Sequence, residues 1–334
     1  MDSRPPISAV IPTWSALRYL PACLSALRAQ LGPGDEIVLV DNCSRDRAGA
    51  WARRYAPDVH VLELPENLGF AGGTAAGMRA AGGALLLLIN DDAMAEPGCV
   101  AALWAALREA PGAGAAAGVL SFSRRPSVVA SAGIRFQRDG VATDLHLGLA
   151  VAALPPRPAP IFGASGGLAL IRRELLDDVG GFDASFFSYL EDADLAWRAR
   201  LRGWGCVLAP AARARHVYSA TSGQDSPFKQ RLLGRNRLRM LVRCLPGALL
   251  RECLPAIIAY DAMALGYAAL SGQRAIATGR LEALRELPGL MAQRRAIQAR
   301  RSASLGSLAR WIEPAPPPWE ALRTRRRLAD LLAP

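Results

Sequence analysis

Through residue 120 the chain alternates short apolar runs with longer segments of helical period. Residues 7–11, 36–40, 59–62, 85–89 and 115–120 read as strands, and residues 16–30, 45–55, 71–81 and 98–110 as the helices between them. Strand–helix alternation at this spacing predicts βαβ units and a parallel sheet covered on both faces. Ligands of such sheets sit beyond the carboxyl ends of the strands. The polar residues at those ends are Thr13, Asp41, Asn42, Asn67 and the run Asn90-Asp91-Asp92.

From residue 121 to about 160 the pattern loosens into short β-like pieces, many glycines and a proline-rich stretch, as expected of a hairpin region and a loop. The glycine-rich run 163–167 leads into an apolar strand at 168–171. Gly180-Gly-Phe-Asp183 makes a turn, and residues 190–202 have helical character. Past residue 221 the chain is helical and basic, with candidate helices at 231–245, 254–270 and 293–301 and an arginine-rich tail at 323–327. There is no internal repeat.

Composition sharpens the division. With 334 residues, 51% apolar and 21% charged, the chain buries a core and forms one large or two modest domains. The formal charge of +11 is not spread evenly. Up to residue 222, 21 Arg balance 21 acidic residues; from 223 onward, 18 Arg and one Lys face 8 acids. This predicts two units, 1–222 and 223–334. Six cysteines without a C-x-x-C pair, and three histidines, argue against a structural zinc site or a disulfide scaffold. The first residues lack the apolar core of a signal peptide, which predicts a cytoplasmic protein. Residues 254–270 are apolar but carry Asp261, and read as a buried or interfacial helix rather than a membrane span.

Three clusters could carry chemistry. Asp91 and Asp92 follow an apolar strand directly, and carboxylates there can hold Mg²⁺ or Mn²⁺ with positions left for phosphate oxygens; the plain alternative is a turn capping the next helix. Glu191-Asp192-Ala-Asp194 opens a helix after the aromatic run 186–189. Acids favour a first helical turn through the helix dipole, but a carboxylate beside aromatic walls is also desolvated, which suits a general base. His216 is either a structural histidine or a contact to metal or phosphate. Asp41, ending the second strand, can accept from a ribose hydroxyl or a base imide. That raises a dinucleotide-binding dehydrogenase as a rival. It requires Gly-x-Gly-x-x-Gly after strand one, where this chain has Pro12-Thr-Trp-Ser-Ala-Leu17. A Walker-type phosphate loop is also missing.

Six segments in order, Val10-Ile-Pro-Thr13, Val40-Asp-Asn42, Asn67-Leu-Gly-Phe70, Asn90-Asp-Asp92, Phe162-Gly-Ala-Ser-Gly-Gly167 and Gly180-Gly-Phe-Asp183 through Glu191-Asp-Ala-Asp194, resemble glycosyltransferase family 2, in particular its bacterial rhamnosyltransferase-like branch. The resemblance covers roughly residues 7–222. It implies a GT-A fold, a Rossmann-like mostly parallel sheet, and an inverting, metal-dependent enzyme. Carried over by position, Pro12, Thr13 and Asp41 hold the nucleotide base and ribose, Asn67 and Gly69 line the same pocket, Asp92 binds Mg²⁺ or Mn²⁺ with Asp91 as its partner, and His216 matches a family His near the diphosphate that is a metal ligand in some members. Asp192, beside Glu191, falls where the family keeps its catalytic base. The implied reaction transfers rhamnose or a similar sugar from a nucleotide-sugar donor to a glycan or lipid-linked acceptor in cell-envelope polysaccharide synthesis. Asn90 in place of a first acid, Trp14-Ser15 and Thr74-Ala75 depart from common family residues.

In the basic third, Arg231, Arg235, Arg237, Arg239 and Arg243 interleave with aliphatic residues. An apolar face with Arg beside it suits the anionic inner face of a membrane, where a lipid-linked acceptor would lie. A basic face packed on the catalytic part is the alternative. Nucleic acid is disfavoured, since no aromatics interleave and no nucleic-acid motif is present. A non-catalytic GT-A-like scaffold at the membrane is the rival to an enzyme.

Overall fold

The computed structural model describes residues 4–217, 226–317 and 331. The arginine-rich tail and the 222/223 boundary fall outside them. The first half runs β1 (Ile7–Thr13), α1 (Leu20–Arg28), β2 (Glu36–Asp41), α2 (Ala48–Tyr55), β3 (His60–Glu63), α3 (Gly69–Ala80), β4 (Leu85–Ile89), β5 (Ala93–Ala95), α4 (Cys99–Glu109) and β6 (Ala113–Phe122). Then come β7 (Arg125–Ser131), β8 (Ile134–Gln137), β9 (Ala142–Asp144), β10 (Ala159–Pro160), β11 (Leu168–Arg172), α5 (Arg173–Val179), α6 (Glu191–Leu201) and β12 (Gly205–His216). The basic region supplies α7 (Pro227–Cys244), α8 (Gly247–Ser271), α9 (Arg274–Arg285), α10 (Leu287–Ala299), α11 (Leu305–Ala309) and β13 (Ile312–Glu313).

The main sheet has the order β10-β12-β6-β11-β4-β1-β2-β3. β1, β2, β3 and β4 pair in parallel, as do β6 and β12, while β11 runs antiparallel to both neighbours. Successive side chains of a strand point to opposite faces, and here both faces are covered. Ile7, Ala9 and Ile11 of β1 pack towards α1, α2 and α4. Val10 of β1, with Val38 and Val40 of β2, packs towards α3, α5 and α6. Apolar residues on both faces of the inner strands are the consequence.

The basic helices do not stand apart. Met240, Leu241, Cys244, Leu249 and Ile257 share one buried cluster with Phe136, Phe162, Phe186 and Trp197. Near the end of the described chain, β13 pairs in parallel with β8 and completes a three-stranded sheet with the β8–β9 hairpin. Among the α7 arginines, Arg237, Arg239 and Arg243 are buried. This corrects the reading of that helix as a membrane-facing basic face. A guanidinium leaves water only where acceptors meet it, and each of these is met through its terminal nitrogens: Arg237 by Asp261, Arg239 by the Ser185 carbonyl and Arg243 by Asp183 and Asp194. Exposed apolar surface lies instead on α8, where Leu254, Ile258, Met263, Leu265 and Leu270 face outward. The helix is long and apolar enough to cross a membrane by length and composition, and is mostly unburied. Its exposure excludes the buried alternative for residues 254–270.

Candidate active site

At the carboxyl ends of β1 and β4 lies a cavity of about 790 Å³. Pro12, Thr13, Asn67, Gly69, Asp91, Asp92, Glu191, Asp192 and His216 all line it. Asp92 and Asp192, a hundred residues apart in the chain, therefore open on one space. Asp41 is the exception among the expected residues. Its carboxylate accepts from the Ser44 and Gly49 backbone N–H groups, each at 2.8 Å, and so ties down the loop into α2. The next residue, Asn42, lines the cavity instead. Its amide donates to Asn67 Oδ1 at 3.0 Å and to the Gly69 carbonyl at 2.9 Å, while its Oδ1 accepts from Leu68 N–H. Gly69 has φ +69°, and a Cβ there would stand 2.1 Å from the Phe187 carbonyl oxygen, so the turn requires glycine.

On the β4 side, β12 pairs antiparallel with β5 in a register that sets His216 opposite Ala93. His216 Nε2 thereby lies 3.0 Å from Asp92 Oδ1 and 3.2 Å from Asn90 Nδ2. Burial pushes the Asp91 carboxyl up to about 7; the Thr13 hydroxyl opposes this and neighbouring Asp92 adds to it. Among the described residues no group of three or more His, Cys, Asp or Glu converges as a metal cage. What the site offers is an Asp–His pair open to the cavity, with Asn90 Oδ1 buried beside it and without a hydrogen-bond partner. Such a sparse oxygen and nitrogen set fits Mg²⁺ or Mn²⁺, which take few protein ligands and complete their shells with phosphate and water.

The opposing acids stand at the start of α6. Gly166 N–H donates to Asp192 Oδ2 at 3.1 Å and Ala193 N–H to Oδ1 at 2.8 Å, so the glycine run 163–167 orients this carboxylate. Burial raises Asp192 to about 6; the Gly166 amide opposes the rise and the charge of Asp144 on β9 adds to it. Glu191 is raised too, by burial and then by the charge of Asp192, and its Oε2 has no hydrogen-bond partner. Two adjacent carboxyls are thus both held above the usual carboxylate range, as suits a group that takes up a proton. Asp144 had no sequence signal beyond its place in a loosely patterned hairpin.

The segment before α6 is strained. Phe187, Tyr189 and Leu190 have φ of 64°, 71° and 68°. Each such residue costs about 1–3 kcal/mol, so the loop needs bonds from outside besides its own turns to hold its shape. Those bonds come from α3 and α7. Ala71 N–H donates to the Phe187 carbonyl at 2.9 Å. Asn236 Nδ2 donates to the carbonyls of Phe186, Ser188 and Tyr189 at 3.0, 2.9 and 2.8 Å. Below the loop, Arg243 pairs with Asp183 and Asp194; burial works against the Asp183 anion, but the Arg243 and Ser185 hydrogen bonds hold it at about 2.

Comparisons with known proteins bear on the family and the fold. Residues 8–180, just over half the chain, match the family model for glycosyl transferase family 2. The N-acetylglucosaminyl-diphospho-decaprenol L-rhamnosyltransferase of Mycobacterium tuberculosis is 29% identical over 247 residues, covering 66% of this chain and 78% of its own. The mannosyltransferase PcManGT of Pyrobaculum calidifontis, solved with GDP-Man and Mn²⁺, has a TM-score of 0.53 at 20% identity, covering 90% of this chain and 86% of its own. S. aureus TarS 1–349 in complex with UDP-GlcNAc has a TM-score of 0.54 at 18% identity, covering 88% and 90%. At these identities the two solved structures speak for the fold.

Proposed function

The chain belongs to glycosyl transferase family 2 and is a glycosyltransferase, and from that premise we propose that it inverts the anomeric carbon of a donor sugar, rhamnose or a close analogue, in a single displacement. The observation that carries this reading is the shared cavity, with Asp92 and His216 at one place and the raised carboxylate of Asp192 at another. Asp192 takes the proton of an acceptor hydroxyl while that oxygen forms its bond to C1. The bond from C1 to the phosphate oxygen breaks on the opposite side, and the nucleoside diphosphate leaves with the electron pair. Asp92 and His216 would hold a divalent ion, which supplies charge neutralisation for the diphosphate. Thr13, Asn42 and Asn67 frame the nucleotide. In this reading residues 1–222 form the catalytic unit and 223–334 complete it. Incubation with dTDP-, UDP- and GDP-sugars in the presence of Mn²⁺ should release nucleoside diphosphate, with dTDP-L-rhamnose as the expected donor. Release from none of them would leave a non-catalytic scaffold as the better account.

The acceptor in this proposal is a hydroxyl of a lipid-linked glycan, by analogy with the mycobacterial relative, and the chain works at the cytoplasmic face of a membrane. Support comes from the exposed apolar residues of α8 and from exposed Arg251, Arg274, Arg285 and Arg295 on α8, α9 and α10. Apolar side chains with cations beside them suit an anionic bilayer surface. The protein should sediment with vesicles containing phosphatidylglycerol at low salt, and Ile258→Glu with Leu265→Glu should weaken this at least ~10-fold, since each buried aliphatic side chain is worth about 1.5–3 kcal/mol. Wild-type protein that stays in the supernatant at low salt refutes the attachment.

A further inference from the structure

The carbonyls of residues 186–189 all point to donors supplied from elsewhere in the chain. Three of them converge on one side chain, Asn236, which lies in the middle of α7 and is fully buried. The orientation of its amide is fixed, because Oδ1 accepts from Arg235 Nε at 3.1 Å. The neighbouring arginines extend the grip. Arg235 Nη2 donates to the Ser185 and Phe186 carbonyls at 3.1 and 2.9 Å, and Arg239 Nη1 to the Ser185 carbonyl at 3.0 Å. Residues 187, 189 and 190 carry the positive φ angles, and the next two residues are Glu191 and Asp192. A hydrocarbon at position 236 would take a donor away from the Phe186, Ser188 and Tyr189 carbonyls and loosen the strained backbone.

The geometry assigns to Asn236 the role of positioning residue for the general base: it holds the 186–190 backbone in the conformation that aims Asp192 into the cavity. Asn236 is too deeply placed to touch substrate and acts through the loop. The assignment rests on Asp192 as the base, and it deepens that reading by giving the basic C-terminal region a part in catalysis. It also links α8 to the reacting centre. Asp261 of α8 accepts from Arg237 on α7 at 3.0 Å and from Arg280 on α9 at 2.7 Å, and Arg237 is one residue from Asn236.

The test is Asn236→Ala in the full chain, read by hydrogen exchange and by kinetics with dTDP-L-rhamnose. Amides 186–194 should exchange at least ~10-fold faster with those of β1 and β4 unchanged, as expected for local rather than global opening. kcat should fall ~10–100-fold with the donor KM within ~3-fold, because a small misplacement of the base penalises the chemical step and not donor binding. Leu290→Ala, at a buried position of α10 that makes no bond to the loop backbone, serves as the control and should leave kcat per folded molecule unchanged. If the alanine variant does not fold, Asn236→Ser retains one donor and should give an intermediate loss in both readings. Unchanged exchange at 186–194, an increase spread equally over β1 and β4, or a loosened loop with intact kcat each overturns the assignment. Exchange needs no turnover, so if the wild-type protein fails to use the donor, the proposed function fails separately and the anchoring is still decided.

Discussion

Asp192→Asn lowers the chemical step by about 10²–10⁴-fold while leaving donor binding nearly intact. Asparagine keeps the size of the side chain and can still meet one of the two amides, Gly166 or Ala193, that now orient the carboxylate. What it lacks is a basic oxygen. Single-turnover measurement separates this from a binding defect, and near-normal turnover would refute the role. The same carboxylate sets a pH limb. Its pKa is raised to about 6, so the active, ionised form is full above that value and is lost as pH falls through it. Turnover should therefore drop tenfold per pH unit on the acid side, and the asparagine variant should lose that limb. Asp144→Asn removes one of the charges that raise the group and should move the limb to lower pH.

Removing the divalent ion is the second large effect. Activity should fall at least ~10²-fold under saturating chelator and return with added Mn²⁺, since charge stabilisation of a leaving diphosphate is worth several kcal/mol. Asp92→Asn should raise the Mn²⁺ concentration needed for half-maximal activity, and weaken Mn²⁺ binding measured directly by titration calorimetry. Its oxygen sits 3.0 Å from His216 Nε2, so the two side chains would act as one ligand pair. Full activity in the presence of chelator would remove both residues from the role proposed for them.

Much of this arrangement is legible in the chain itself. The strands of the sheet announce themselves because a strand covered on both faces is apolar at every position, as β4 is. Asn90-Asp91-Asp92 stands at a strand end where a sheet of this kind binds ligands, Glu191-Asp192 opens the helix α6, and both reach the cavity. Asp41 shows the limit of that rule. A strand-end acid can serve a ligand or its own following loop, and here two local amides engage its oxygens. The α7 arginines show a different limit. Arginine among leucines has the pattern of a surface helix, and nothing within α7 reveals acceptors that lie about 50 residues earlier in the chain. Asn236 is invisible for the same reason: its three acceptors are backbone carbonyls, which carry no residue identity.

The parallel pairing of β13 with β8 has a consequence for biosynthesis. The β8–β9 hairpin, which carries Asp144 to the cavity, is a ribbon of two strands until Ile312 and Glu313 arrive. Two strands alone are marginal in water, and translation delivers the earlier segments first. While still attached to the ribosome, the nascent chain can therefore assemble its nucleotide half, β1 to β4, long before the hairpin wall is secured. Closure of the complete pocket thus follows the assembly of the nucleotide half during synthesis.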